Sequence, residues 1–138
     1  MKTDIVYVAM SADLIHVGHI HLLQAAAQYG PVVVGLLSNK AIESYKRKPI
    51  ITWEQRYLVI KEIQSVSMVV PQITHDYTDN LKLLRPSYVV HGSDWKNGVQ
   101  STVRQKVLDV LTEWGGELIE PEYTEGISTT DIIERCKK

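Results

Sequence analysis

Along the chain, short unbroken apolar runs alternate with longer segments whose apolar residues recur at helical spacing. Ile5 to Met10 (IVYVAM) and Val32 to Leu37 (VVVGLL) are β-rich runs of strand length, and His19 to Tyr29 between them keeps a helical period. Continuous rather than alternating apolar strands predict a parallel sheet covered on both faces, and a helical crossover is what parallel pairing requires. The pattern repeats downstream. Trp53 to Ser65 carries apolar residues at 53, 57, 58, 60 and 63, and Thr52 with Gln55 makes a T-x-x-Q capping box at its start. Met68 to Val70 before Pro71 reads as a third strand, Leu81 to Leu84 as a helical turn or two, and Tyr88 to His91 as a fourth strand. Val99 to Trp114 is a long amphipathic helix stopped by Gly115-Gly116, Glu117 to Ile119 is a fifth strand, and Ser128 with Asp131 caps a last helix ending near Cys136. With no repeat, linker or low-complexity tract, residues 1–138 are predicted to form one α/β domain. The architecture expected is a Rossmann-like, doubly wound, five-stranded parallel sheet.

Such a sheet binds ligands in the crevice beyond the carboxyl ends of its strands. Polar segments follow the first, second, fourth and fifth strands: Ser11 to His19, Ser38 to Lys48, Gly92 to Lys96 and Tyr123 to Thr130. All four are expected to converge on one crevice.

Composition narrows the chemistry. An apolar fraction of 44% with 22% charged residues is that of a soluble globular domain, and 138 residues exclude two full domains. Fifteen Lys and Arg against 16 Asp and Glu leave a net charge of −1, which argues against a nucleic-acid or membrane-surface binder and makes any anion site local. One cysteine, Cys136, forms neither an internal disulfide nor a metal cluster, and the opening MKTDIVYVAM lacks the apolar run and cleavage site of a signal peptide. A cytoplasmic protein with no membrane span is expected.

Four constellations could carry chemistry. In the turn Ser11 to His19, two imidazoles flank Gly18; free N–H groups at the helix start make an anion site, and His16 and His19 can each donate to phosphate oxygens. The alternative is that the two histidines are partly buried polar residues; a zinc site has too few ligands, and His21 reads as structural. Tyr45-Lys46-Arg47-Lys48-Pro49 is the only dense cationic cluster, either a solvated face or a phosphate grip with Lys46 and Lys48 inward. His91-Gly92-Ser93-Asp94-Trp95 allows a close approach at the glycine, with Asp94 and Trp95 recognising a base, orienting the loop, or simply capping it. Gly126-Ile127-Ser128-Thr129-Thr130 brings hydroxyls and backbone N–H groups to a helix N-terminus.

Together these residues resemble the cytidylyltransferase family of the nucleotidyltransferase α/β-phosphodiesterase superfamily, marked by H-x-G-H after strand one and G-I-S-T-T before the last helix. Both motifs are present, as His16-Val17-Gly18-His19 and Gly126 to Thr130, about 110 residues apart, so the resemblance covers nearly the whole chain. It implies the H-x-G-H nucleotidyltransferase fold and a reaction of CTP with an acceptor phosphate or phosphonate, releasing pyrophosphate, with Mg²⁺ accompanying the nucleotide. By that resemblance His16, His19 and Lys46 are catalytic, and Ser11, Ala12, Asp13, Gly18, Lys48, Gly92, Asp94, Trp95, Tyr123, Gly126, Ile127, Ser128, Thr129 and Thr130 bind the substrates. Asp13 either orients the histidine turn or helps place Mg²⁺; no set of metal ligands is read from the sequence.

The acceptor is read from departures. Branches acting on glycerol phosphate or phosphocholine usually carry R-T-x-G-I-S-T-T and R-Y-V-D, where this chain has Tyr123 and Gln64-Ser65-Val66-Ser67. The stretches 8–16, 44–47 and 89–96 resemble instead the cytidylyltransferase domains found with phosphoenolpyruvate mutase in phosphonate biosynthesis, which points to a 2-hydroxyethylphosphonate-like acceptor. A homodimer is expected, with Trp53 or Tyr57 either at its interface or in the core, and the chain is either free-standing or a domain of a mutase fusion. The rivals are an alcohol-phosphate cytidylyltransferase, an adenylyltransferase, and a non-catalytic CTP sensor.

Overall fold

A computed structural model describes residues 1–96, 98–122 and 125–137, with Val99 described in its backbone only. Five parallel strands form one sheet in the order β3-β2-β1-β4-β5: β1 Val6–Met10, β2 Val32–Leu37, β3 Val66–Gln72, β4 Tyr88–Val90 and β5 Glu117–Ile119. The α/β, five-stranded parallel architecture expected from the apolar runs is the one observed. Every residue of β1 and β2 is buried, as central strands covered on both faces must be. Their register runs from Val6 opposite Val32 to Met10 opposite Leu36.

The helices are α1 Val17–Ala27, α2 Asn39–Glu43, α3 Trp53–Ile60, α4 Thr78–Leu84, α5 Ser101–Leu111 and α6 Thr129–Cys136. They enclose two core layers. Tyr7, Val33, Leu81, Val107 and Leu111 belong to the layer of α4 and α5, and Val6, Val8, Leu23, Ala26 and Ile60 to the layer of α1 and α3. Trp53 and Tyr57 stack at 5.4 Å and pack on that second layer, with Trp53 Nε1 donating to the Leu36 carbonyl. No helix of the described residues is long and apolar enough to cross a membrane.

Several boundaries differ from expectation for identifiable reasons. α1 starts at Val17, because His16 itself is the N-cap. α3 stops at Ile60 rather than Ser65, and β3 takes over at Val66, running through Pro71. Proline is tolerated there because β3 is an edge strand and needs no amide donor on its open side. α5 stops at Leu111: Trp114 N–H turns back to the Leu111 carbonyl, its indole donates to the Pro86 carbonyl at 2.8 Å, and Gly115 supplies φ +73. α2, invisible to the periodicity, is one short turn capped by Ser38, whose Oγ accepts from Ala41 N–H and donates to the Ile73 carbonyl.

β1 to β3 are laid down to one side and β4 and β5 to the other, so the strand order reverses between β1 and β4. The loops leaving those two strands part company there and open a crevice.

Candidate active site

The crevice is a cavity of about 490 Å³. Ser11, His16, Gly18, His19 and Leu22 reach it from the end of β1 and from α1; Tyr45, Lys46 and Arg47 from the loop after α2; His75 and Tyr77 from beyond β3; His91, Gly92 and Asp94 from beyond β4; and Ile127 to Thr130 from the start of α6.

The β1–α1 turn is the most constrained segment. Ala12 and Leu14 have φ of 56 and 55, a left-handed conformation that side chains other than glycine rarely adopt. It is pinned from three directions. The Asp13 carboxylate accepts from Ile50 N–H at 3.0 Å and Ile51 N–H at 3.1 Å. Arg56, 1% exposed, donates through Nη1 to the Ser11 carbonyl at 2.6 Å and the Leu37 carbonyl at 2.9 Å, so one guanidinium joins the ends of β1 and β2. Thr129 Oγ1 donates to the Asp13 carbonyl at 2.8 Å, bringing α6 onto the turn.

That turn delivers His16 to the N-cap of α1. Its Nδ1 accepts from Gly18 N–H at 3.0 Å, and its own N–H donates to His19 Nδ1 at 3.1 Å, a capping box built from two histidines. Because each Nδ1 accepts, the proton of each neutral ring sits on Nε2, leaving two Nε2–H donors. The rings lie 4.1 Å apart, centroid to centroid. Burial lowers the pKa of both; for His19, burial first and then the nearby charges of His16 and Lys46 bring it down to about 4. The pair is therefore neutral and donating at neutral pH.

Lys46 Nζ donates to Ser11 Oγ at 3.0 Å, and its pKa is lowered by burial and then by Arg47. Tyr45 stacks on His75 at 3.8 Å with the planes 4° apart, and His91 stacks on Trp95 at 3.7 Å. Burial lowers the pKa of His75 and His91 as well.

Of the residues singled out from sequence, Ser11, His16, Gly18, His19, Lys46, Gly92, Asp94, Ile127, Ser128, Thr129 and Thr130 share this cavity. Five do not line it. Lys48 is exposed and lies outside it, so the inward pair expected at 46 and 48 is instead the adjacent pair Lys46 and Arg47. Asp13 is 3% exposed with both oxygens accepting backbone N–H groups, so it orients the turn and is not presented to a metal or nucleotide. Trp95 is 1% exposed and donates to Glu120, which also pairs with Arg104; it backs His91 from the core. Ala12 is buried behind the turn, and Gly126 supplies a φ of +80 ahead of Ser128. Tyr123 lies outside the described residues.

Sequence reasoning named Tyr45 and Arg47 only as parts of the cationic loop and passed over His75 and Gln100; all four line the cavity from short segments that carry no periodic signal. His21, read as structural, is exposed and borders it. No group of three or more His, Cys, Asp or Glu among the described residues is placed to hold a metal ion.

The comparisons with known proteins agree with this geometry. Residues 10–135 match the family model described as Cytidylyltransferase-like. The bifunctional protein HldE of Geobacter sulfurreducens is 31% identical over 129 residues, 91% of this chain and 25% of that protein. Ethanolamine-phosphate cytidylyltransferase of Mus musculus is 30% identical over 125 residues, 89% of this chain and 30% of that protein, so the chain spans less than a third of either relative. Among solved structures, the lipopolysaccharide core biosynthesis protein from Thermoplasma volcanium shares the fold with a TM-score of 0.71 at 19% identity, covering 87% of this chain and 95% of that one. With the H-x-G-H capping box at the head of α1 and the match running from the end of β1 into α6, the chain belongs to the cytidylyltransferase-like family of nucleotidyltransferases.

Proposed function

We propose that the chain transfers CMP from CTP to a small acceptor carrying a phosphonate or phosphate, with 2-hydroxyethylphosphonate as the preferred acceptor, and releases pyrophosphate. The observation that carries the reading is the histidine capping box, which fixes two neutral Nε2–H donors beside Lys46 in a cavity closed at one side by the start of α6. An acceptor oxygen attacks the α-phosphorus in line and forms the new P–O bond. The bond from the α-phosphorus to the bridging oxygen breaks, and its electron pair leaves with pyrophosphate.

No protein nucleophile is required, so the work is positioning and charge stabilisation. His16 and His19 donate to the phosphate oxygens on which charge develops. Lys46, fixed by Ser11, neutralises charge near the α-phosphate, and Ser128 to Thr130 with the N–H groups of α6 receive the β- and γ-phosphates. Mg²⁺ belongs in this reading as an ion carried by the triphosphate with most of its waters, because the described residues offer no cage for it.

The name of the mouse relative favours a second acceptor class, an alkyl phosphate such as phosphoethanolamine. Pyrophosphate release separates the two. Measured with CTP against 2-hydroxyethylphosphonate, 2-aminoethylphosphonate, glycerol 3-phosphate and phosphoethanolamine, with ATP as control, release with a phosphonate alone supports the first class. Release with a phosphate alone moves the protein to the second, and CTP binding without release from any acceptor makes it a sensor. Homodimerisation and an association with phosphoenolpyruvate mutase belong to the same reading; sedimentation of the isolated chain tests the first.

A further inference from the structure

A third imidazole of the cavity, His91 beyond β4, is set up in the opposite sense to His16 and His19. Its Nδ1 lies 2.8 Å from the Gly92 carbonyl, which can only accept, so the ring proton sits on Nδ1. Burial lowers the pKa of the ring and keeps it neutral at neutral pH. Its Nε2 is therefore a bare lone pair, where the first two histidines present Nε2–H donors. Among the described residues nothing donates to that nitrogen, and the ring lines the cavity. The ring plane is fixed by stacking on Trp95 at 3.7 Å with 7° between the planes, and Trp95 is itself held by Glu120.

The neighbours of this lone pair are aromatic. Trp95 packs on Tyr77 at 5.7 Å, Tyr45 and His75 stack into one flat plate, and Tyr45, His75 and Tyr77 all border the cavity. His75 is near enough to lower the pKa of His91 further, and its own Nε2 is buried with no hydrogen-bond partner. The donors that receive the triphosphate come from other elements, the heads of α1 and α6. We propose, resting on the cytidylyl-transfer reading, that His91 Nε2 accepts the hydroxyl of the acceptor's tail, so that this chain selects a hydroxyalkyl group on the phosphorus. A hydroxyl donates to His91 and, having lone pairs as well, answers His75 Nε2 in either tautomer. An ethyl group leaves both nitrogens without a partner, and a site built to hydrogen-bond a hydroxyl rejects the analogue that lacks it. A quaternary ammonium has no hydrogen to donate. A primary ammonium has, but its buried charge needs a carboxylate; Glu120 is already engaged by Arg104 and Trp95, and the Asp94 charge is felt at Lys46.

Pyrophosphate release from CTP with 2-hydroxyethylphosphonate, ethylphosphonate and 2-aminoethylphosphonate tests this in the unaltered protein and two variants. His91→Phe keeps a ring to stack on Trp95 and removes the lone pair; His91→Gln restores an accepting oxygen. The unaltered protein is expected to prefer the hydroxyl acceptor over the ethyl one in kcat/KM by about tenfold or more, and His91→Phe by less than about threefold. His91→Gln falls between them, and the KM for CTP stays within about threefold throughout. A preference that survives in His91→Phe, or is absent from the unaltered protein, overturns the assignment. So does a CTP KM raised as much as that of the acceptor, which gives the lone pair to a ribose hydroxyl or the cytosine amino group, and so does equal use of 2-aminoethylphosphonate. Should His91→Phe not fold, the imidazole nitrogen NMR spectrum of the unaltered protein decides. An unprotonated His91 Nε2 whose signal moves with 2-hydroxyethylphosphonate and not with ethylphosphonate supports the assignment, and a protonated or unmoved one overturns it. If no acceptor yields pyrophosphate, the cytidylyl reading fails on its own, and calorimetric binding of the two phosphonates still judges His91: equal Kd values, or no binding, refute it.

Discussion

Two donor-bearing edges of the cavity are built in opposite ways. At the β1–α1 turn the groups that set the histidines are partnered: each Nδ1 accepts a backbone N–H, the Asp13 carboxylate accepts two, and Arg56 donates to three carbonyls. At the loop after α2, among the described residues, Arg47 has a buried Nε without a partner and one long ion pair. The first arrangement makes the histidine donors rigid and fixes their tautomer before any ligand arrives, which is where electrostatic stabilisation gains most. The second leaves the Arg47 guanidinium less firmly placed.

Removing the rigid donors should show the largest effect. His16→Ala and His19→Ala are each expected to lower turnover by about 10²–10³-fold, the scale of losing an oxyanion donor, while circular dichroism at neutral pH stays that of a folded chain. Activity near that of the unaltered protein in both would dissolve the contrast between the two edges. Asp13→Ala attacks the same edge from behind. It leaves the Ile50 and Ile51 N–H groups without acceptors and frees the turn at Ala12 and Leu14, for an expected loss of about 2–4 kcal/mol in urea unfolding.

Acid sharpens the comparison through the histidines. Burial holds the folded-state pKa of His19 at about 4, below the ordinary 6.5, so the unfolded chain takes up the proton first. Stability from this group is complete above about pH 6.5 and is lost as pH falls towards 4, with about 2 kcal/mol disappearing between pH 7 and pH 5. Urea midpoints across that range should fall less steeply in His19→Gln; parallel slopes would locate the acid sensitivity elsewhere. The smallest effect is expected at the far wall. Ser128→Ala removes the oxygen that accepts from Asp131 N–H at 3.0 Å and should cost about 1 kcal/mol of stability by thermal unfolding.

The sheet was legible because β1 and β2 are buried along their whole length, and no other pattern produces such unbroken apolar runs next to a helical crossover. The histidine turn was legible by position, since it follows the first strand. Its mechanics were not: a histidine N-cap breaks the usual preference for Ser, Thr, Asp or Asn, so the helix was read as starting at His19 rather than Val17. Which of three consecutive cations turns inward depends on where Asp13 holds the following backbone at Ile50 and Ile51, a contact across 37 residues that no local spacing records. Sequence left Trp95 open between recognising a base, orienting the loop and capping it, and what decides is distant: the Glu120 carboxylate, itself held by Arg104, accepts from its indole.

The bond from Thr129 Oγ1 to the Asp13 carbonyl joins residues 116 positions apart. The helix it belongs to, α6, buries no residue fully, and Ile132 and Ile133 are only half-buried, so this bond is one of its specific ties to the rest of the molecule. During synthesis the histidines, the lysine and the whole sheet emerge before Thr129 does. Whatever else has formed by then, the turn at Asp13 still lacks this hydroxyl, and the start of α6 has yet to close its side of the cavity.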